Sequence, residues 1–322
     1  MVGFLTSYDD LTIIIPTFRE AEGIGLVLDE VVSLGVLKEK IVVVDGFSDD
    51  GTPEIAKSRG VRVVFQDGFG KADAVKTGVR FVDTPYVLVM DGDYTYPATY
   101  IPDLLSKARE GYDLVLGSRK YLEKGSMNPV FKFGNRVLTF FINLLYGTRV
   151  SDVLTGMYVV KTEVLREVFY EMSGFSLEAE IFSHVANTTG KIAEVPISYR
   201  VRKGVKKLGV VHGFRIVWDV FRLTWRYNPT YLIFLLGTTL LIPGLALGSY
   251  VAYHYFFTGI KYYLKGLVAI LLTLTGFQSL LMAVMSIYTK RIEMRTIHRM
   301  NELKKDVQKI LEYLNQGGEK ES

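Results

Sequence analysis

The stretch YVLVMDGDY, residues 86–94, decides the fold. Its first five residues read as a short buried strand, and Asp91-Gly92-Asp93 ends it. Two carboxylates one residue apart at a strand end can hold a hard divalent cation, which keeps waters and takes its other oxygens from a diphosphate. A DGD triplet is also common in turns, so its meaning depends on its surroundings. Upstream, apolar β-branched runs at residues 11–15, 41–44 and 61–65 are followed by helical patterns at 24–34, 53–59 and 72–81, and 86–90 is followed by 101–109. This alternation predicts βαβ units and an α/β domain around a mostly parallel sheet. Open sheets of this kind gather ligands beyond the carboxyl ends of their strands. The segments there are PTFREAE, DGFSDDGT, QDGFGKADA and DGDYTYP, all polar, so Asp45 and Asp67 also stand at strand ends. Acidic clusters at successive strand ends point to a nucleotide and metal site.

The remainder of the chain has a different character. No Asp, Glu, Lys or Arg occurs in residues 227–260 or 266–289, although the 322 residues include 38 Lys+Arg and 34 Asp+Glu. Each run exceeds the roughly 20 apolar residues that cross a bilayer, so both are expected to be transmembrane helices. Arg215, Arg222 and Arg226 precede the first run, and Lys290, Arg291, Arg295 and Arg299 follow the second, with only Lys261 and Lys265 between. The positive-inside rule then puts both flanks, and the large domain, in the cytoplasm of a multi-pass cell-membrane protein. Residues 1–10 carry Asp9 and Asp10 and lead straight into a strand, unlike a signal peptide. The net charge of +4 is too small to argue for nucleic acid, and the absence of cysteine rules out disulfides and thiolate metal sites.

Two stretches mix aromatic bodies with basic heads, as suits a helix on a head-group layer: residues 128–146, with Phe131, Phe133, Phe140 and Phe141 beside Lys132 and Arg136, and residues 212–227, with Trp218 and Trp225. A core helix with a solvated basic face is the plainer alternative. Met300, Leu303, Val307, Ile310 and Leu314 are spaced 3, 4, 3, 4 in the polar tail, a short helical segment through which chains could associate. The expected organisation is a catalytic domain at 1–210, an interfacial helix at 211–227, a transmembrane hairpin at 228–290 and a cytoplasmic helical tail at 291–322.

Seven segments in order carry a resemblance: IIIPTFREAEGI, VVVDGFSDDGT, GFGKADAVKTG, MDGDYTYPATYIPDLL, LVLGSR, DVLTGM and EVPISYRVRKGVKKL. Together they resemble family 2 glycosyltransferases of the GT-A fold, specifically the membrane-bound group that makes polyprenyl-phosphate sugars, such as dolichyl-phosphate mannose synthases and their two-span glucosyltransferase-like relatives. Gly46 stands for the second Asp of the family's DD, Thr95 for a frequent metal-binding Gln, and Lys206 for the Ser of its SKL ending. These departures leave the reaction class intact and the sugar and base open. Trp225-Arg226 lacks the Gln of the QxxRW segment of processive polysaccharide synthases, which also have more spans. An inactive membrane scaffold is disfavoured by the intact Asp91 and Asp93.

The resemblance implies a role for each segment. Pro16, Thr17, Phe18 and Glu20 would line the nucleoside, with Asp45 and Asp67 accepting hydrogen bonds from the base edge. Asp91 and Asp93 would hold Mg²⁺ or Mn²⁺ on the donor diphosphate. Lys71, Arg200, Arg202, Lys206 and Lys207 would bind the nucleotide and close over its phosphates. Arg119, Lys132 and Arg136 would receive the acceptor phosphate. Asp152 is the candidate catalytic carboxylate beside Asp93. Because a lipid monophosphate already carries its nucleophilic oxyanion, Asp152 is expected to orient groups rather than to take a proton. Glu178 and Glu180 read either as helix-start capping or as site residues. The implied partners are a nucleotide sugar, UDP-glucose or UDP-N-acetylglucosamine ahead of GDP-mannose, a polyprenyl or dolichyl phosphate, and membrane lipids. The implied product is a β-linked lipid-phosphate sugar formed by an inverting transfer.

Overall fold

The computed structural model describes residues 7–168, 170, 177–204, 222, 225 and 229–318. The chain divides into two compact units, Met1–Leu223 and Thr224–Ser322. In the first, β1 (Leu11–Thr17), β2 (Ile41–Asp45), β3 (Arg62–Phe65) and β4 (Tyr86–Val89) alternate with α1 (Ala21–Ser33), α2 (Thr52–Ser58), α3 (Gly70–Val79) and α4 (Ile101–Arg109). β5 (Leu114–Leu122), α5 (Pro129–Tyr146), β6 (Tyr158–Lys161), α6 (Thr162–Glu167), α7 (Leu177–Thr188) and β7 (Ile192–Tyr199) complete it. Among the described residues these strands form one sheet in the order β3-β2-β1-β4-β6-β5-β7.

The sheet is mixed. β3, β2, β1 and β4 pair in parallel, as do β5 and β7, while β6 runs antiparallel to both β4 and β5. Helices cover the faces of β1 and β2, so both strands are almost wholly buried and consist of Ile and Val runs with no polar alternation. All the parallel strands therefore end on one edge, where DGD, PTFRE and DGFSDDGT meet.

Glycine permits the closest approach between a helix and that edge. A Cβ on Gly23 of α1 would lie 2.7 Å from the Gly92 carbonyl oxygen and 2.9 Å from the Asp93 backbone. Helix α1 thus rests directly on the DGD loop. α5 begins where the sequence places it, with Asn128 accepting a hydrogen bond from the Val130 N–H at 2.9 Å. It buries Leu138, Thr139 and Ile142 and exposes Val130, Phe133, Phe140 and Phe141. Residues 212–227 lie outside the described residues except Arg222 and Trp225, which are helical.

In the second unit, α8 (Pro229–Tyr253) with the π-helical turn His254–Thr258 that continues it, and α9 (Tyr263–Gly318), provide two segments long and apolar enough to cross a membrane, Pro229–Thr258 and Tyr263–Thr289. They turn at Gly259, whose φ of 71° is left-handed. The helices pack backbone to backbone: a Cβ on Gly244 would meet the Thr273 N at 2.7 Å, and one on Gly276 the Leu241 N at 2.5 Å. The hydroxyls of Thr230 and Ser286 lie 2.7 Å apart across the pair. Small residues at such contacts allow dense packing where no hydrophobic force draws helices together. The polar tail is a continuation of α9, with no break after residue 289.

Gly23→Val should therefore force α1 off the DGD loop and cost about 1–3 kcal/mol, the usual range for overpacking. The denaturation midpoint of the purified protein measures this, and an unchanged midpoint would refute the close contact.

Candidate active site

The strand edge collects charge in pairs. Asp93, at the end of the DGD loop, is 5% exposed. Its Oδ1 accepts from the Thr95 N–H at 3.1 Å and the Thr95 hydroxyl at 2.6 Å, and its Oδ2 lies 3.2 Å from Arg202 Nη1. Arg202 also pairs with Glu20, which follows β1. Asp91 accepts from Lys71 Nζ at 2.6 Å, and the same ammonium lies 2.5 Å from Glu178 Oε1 at the start of α7. The segment after β7 backs the loop through its main chain: the Arg200 N–H donates to the Thr95 carbonyl and the Lys203 N–H to the Asp93 carbonyl. Gly156 packs against the Asp91 carboxylate with no room for a side chain, and its N–H donates to the Tyr96 hydroxyl at 2.6 Å.

Burial sets the electrostatics. It raises the pKa of Asp93, reinforced by the neighbouring Asp91 and opposed by Arg202 and Thr95. Glu178 is likewise raised by burial, against the pull of Lys71. Burial acts to lower the Lys71 pKa, but Asp91 and Glu178 outweigh it and hold the ammonium well above the usual lysine range.

A second constellation is built on β5. Arg119 donates through Nε to Asp152 Oδ2 at 2.6 Å and through Nη2 to Asp152 Oδ1 at 2.7 Å and the Leu154 carbonyl at 3.0 Å. Asn135 on α5 donates to Asp152 Oδ1 at 2.9 Å. The guanidinium lies over the Tyr199 ring, 5.4 Å from its centroid. Although burial alone would raise the Asp152 pKa, Arg119 and Asn135 hold it below the usual carboxylate value. A depressed, bidentately paired carboxylate is a poor proton acceptor.

Several expected site residues occupy other positions. Asp45 is 0% exposed, with both oxygens hydrogen-bonded to Thr17 and Ser48. Asp45 thus ties β1 to the loop after β2. Asp67 is exposed and pairs with Arg80 at 2.5 Å. Arg200 is paired with Glu30 at 2.8 Å and stacked on Tyr94, so it leaves the expected cluster over the diphosphate. Pro16 is half-buried, Thr17 buried and Phe18 exposed at the end of β1. Lys132 and Arg136 are exposed on α5. Glu180 is a buried residue of α7. Lys206 and Lys207 lie outside the described residues. Asn135 and Glu194 were not expected as site residues, although Glu194 opens the segment EVPISYRVRKGVKKL; Glu194 Oε1 accepts from the backbone N–H of Ser151 at 2.8 Å and of Asp152 at 3.2 Å, which presents Asp152 to Arg119.

The donor chemistry fits a hard divalent cation. Asp91 and Asp93 offer carboxylate oxygens only, and the set Asp91, Asp93, Glu20 and Glu178 against Lys71 and Arg202 is formally four negative charges against two positive, a deficit of one dication. Among the described residues no group of three or more His, Cys, Asp or Glu gathers to hold a metal. The remaining ligands must then come from substrate and water.

In open sheets of this kind the edge beyond the carboxyl ends of the parallel strands is where ligands bind. A model of glycosyl transferase family 2 matches residues 12–169. The chain is 31% identical over 300 residues to glycosyltransferase AglJ of Haloferax volcanii, across 92% of this chain and 98% of that protein. It is 37% identical over 203 residues to a dolichyl-phosphate hexose transferase of the same organism, across 63% of this chain and 88% of that protein. Glucosyl-3-phosphoglycerate synthase from Mycobacterium tuberculosis, solved with Mn²⁺, UDP and phosphoglyceric acid, shares the fold with a TM-score of 0.56 at 20% identity, over 67% of this chain and 78% of that one. The chain belongs to glycosyltransferase family 2 and is a glycosyltransferase.

The buried Arg119–Asp152 pair makes a stability prediction. Arg119→Met or Asp152→Leu alone should cost about 3–5 kcal/mol by stranding a buried charge, whereas the double variant should be more stable than either. Because the Asp152 pKa is depressed, its contribution is whole above about pH 4 and lost only as pH falls through the lower folded value. Denaturation midpoints of the three variants between pH 3 and 7 measure both effects. Additive losses in the double variant would refute the pairing.

Proposed function

We propose that the protein transfers a hexose from a nucleoside diphosphate sugar to the phosphate of a polyprenyl lipid, with inversion at the anomeric carbon. The observation that carries this reading is the paired-charge edge: two strand-end carboxylates, each beside a cation, with the buried guanidinium of Arg119 on a strand of the same sheet. Thr17 and Phe18 at the end of β1, with Asp67 at the end of β3, would receive the nucleoside. Asp91 and Asp93 would hold Mg²⁺ or Mn²⁺, which when bound offsets the negative charge developing on the departing diphosphate. Lys71 and Arg202 are placed to add hydrogen bonds to the same oxygens.

The nucleophile needs no base. A phosphate monoester near neutral pH is already an oxyanion. One of its oxygens forms the new bond to the anomeric carbon while the bond to the diphosphate breaks, its electron pair leaving with the nucleoside diphosphate. No proton moves, in keeping with an Asp152 held ionised by Arg119. The Nη1 of Arg119 makes no hydrogen bond among the described residues and can meet the acceptor phosphate, with Lys132 and Arg136 nearer the head groups.

A lipid acceptor is favoured over a soluble phosphorylated one by two features. α5 exposes Val130, Phe133, Phe140 and Phe141 beside two basic residues, and the second unit holds two membrane-length helices. The flanking Arg and Lys residues support a catalytic unit on the cytoplasmic side of a membrane. The name of the dolichyl-phosphate hexose transferase relative supports the same class of acceptor.

Asp93→Asn should lower kcat/KM more than about 100-fold, roughly 2.7 kcal/mol of transition-state stabilisation, in protein that still folds. A loss of about threefold or less would overturn the metal assignment. Arg136→Ala should raise KM for the lipid phosphate about tenfold, the loss of one charge-assisted contact, and leave the donor KM unchanged. Thermal shifts with Mn²⁺ and either UDP- or GDP-sugars identify the base, since the ligand that binds the folded state raises its midpoint; UDP-sugars are expected to do so, and a shift with GDP-mannose alone would make the protein a mannosyltransferase.

A further inference from the structure

Lys71 and Arg202 occupy matching positions. Each sits between one of the two candidate metal aspartates and a glutamate: Lys71 between Asp91 and Glu178, Arg202 between Asp93 and Glu20. Both glutamates are buried, and neither belongs to the DGD loop. Asp91 is the most open of the four carboxylates, with 30% of its side chain exposed against 4% for Glu178. Asp91 therefore faces the opening while Glu178 holds Lys71 from behind; on the other side of the site Asp93 and Glu20 are equally buried, with 7% and 8% of their side chains exposed.

We propose, resting on the metal and diphosphate reading above, that Lys71 and Arg202 are built-in counter-ions that stand in for the divalent cation and turn to the donor diphosphate when the cation arrives. Before ligand binds, each aspartate is neutralised by a cationic side chain, which spares the edge an unpaired buried carboxylate at Asp93 and an unpaired half-buried one at Asp91. A divalent cation arriving alone must break both of these ion pairs. One arriving with a nucleoside diphosphate lets the displaced cations re-pair with phosphate oxygens. Glu178 and Glu20 act as positioning residues that keep Lys71 and Arg202 in the site throughout the exchange. Cation and nucleotide are thereby coupled: each binds better when the other is present, by the same factor.

The two ends of a clamp should respond with opposite signs. Removing the side-chain cation with Lys71→Met leaves Asp91 and Glu178 uncompensated, so a divalent cation alone should bind more tightly and gain less from nucleotide. Removing the rear anchor with Glu178→Gln leaves Asp91 as the sole carboxylate partner of Lys71, so the cation alone should bind more weakly. A general loss of structure would move both variants the same way.

The test is the dissociation constant of Mn²⁺, read from the electron paramagnetic resonance signal of the free ion, for the full chain in detergent with no nucleotide, with UDP and with GDP. In the wild type one nucleoside diphosphate should tighten Mn²⁺ at least about fivefold, the lower end of ordinary binding couplings. Lys71→Met should tighten Mn²⁺ alone by a similar factor and reduce the coupling, and Glu178→Gln should weaken Mn²⁺ alone. Unchanged or weaker binding of Mn²⁺ alone to Lys71→Met, or shifts of the same sign in both variants, would overturn the inference while leaving the proposed function standing. Should Lys71→Met fail to fold, the sign of the Glu178→Gln shift decides. A wild type that binds no Mn²⁺ with either nucleotide would instead overturn the proposed function.

Discussion

Carboxylates buried at the edge of a parallel sheet are the constraint on which the site depends. Moving an ion from water to a low-dielectric setting costs several kcal/mol even after relaxation, and the cost is recovered only where a partner and further hydrogen bonds are in place. Asp93 illustrates how many elements that takes: Thr95 supplies two donors, Arg202 a charge, and the main chain of Lys203 holds the loop from behind. Asp45, Asp91, Asp152 and Glu178 are each held by donors or cations from other segments. A site of this kind forms only when β1, β4, β5, α3, α7 and the segment after β7 are all in register. Fold and charge pairing are therefore one problem.

The reversed strand β6 solves part of it. Inserted between β4 and β5, it lets the chain return after α5 and bring Gly156 against Asp91. Thr155, in the same turn, donates to the Gly117 carbonyl at 2.5 Å and ties the turn to β5 two residues before Arg119. Asp91 and Arg119 are thus fastened to the two ends of one short connection. Positioning at this level matters because transfer between two bound substrates draws much of its rate from their fixed alignment.

How much of this could be read from residue order follows from the range of each interaction. β1 to β4 and their helices were legible because β-branched runs and strand-end glycines and aspartates are local signals, and α4 coincides with residues 101–109. Asp91 and Asp93 were legible for the same reason. The partners were not: Lys71 and Asp91 are 20 residues apart, and Arg202 and Glu20 are 182 apart. Such pairs leave no periodicity. The protein partners of Asp45 were hidden for a similar reason, since a strand-end aspartate looks alike whatever it bonds; Thr17 and Ser48 are polar residues whose orientation only the fold reveals. Glu178 was ambiguous between capping and site because its partner lies on a helix more than 100 residues earlier in the chain.

Helix α5 joins two features that sequence patterns treat separately. Its outward side is a run of exposed apolar and aromatic residues, an arrangement that costs free energy in water and is relieved by an apolar phase. Its inward side is attached to the acceptor constellation: Asn135 donates to Asp152 at 2.9 Å, and the Val153 N–H donates to the Thr139 hydroxyl at 3.4 Å. Asn135 and Phe133 are two residues apart, so the amide that locks Asp152 and the ring that faces outward share one turn of helix. A helix is stiff over that length. The surroundings of α5 and the geometry of Arg119 are therefore linked through the Asn135 amide and the Thr139 hydroxyl, and Asp152 itself is held by three separate segments of the chain, β5, α5 and β7.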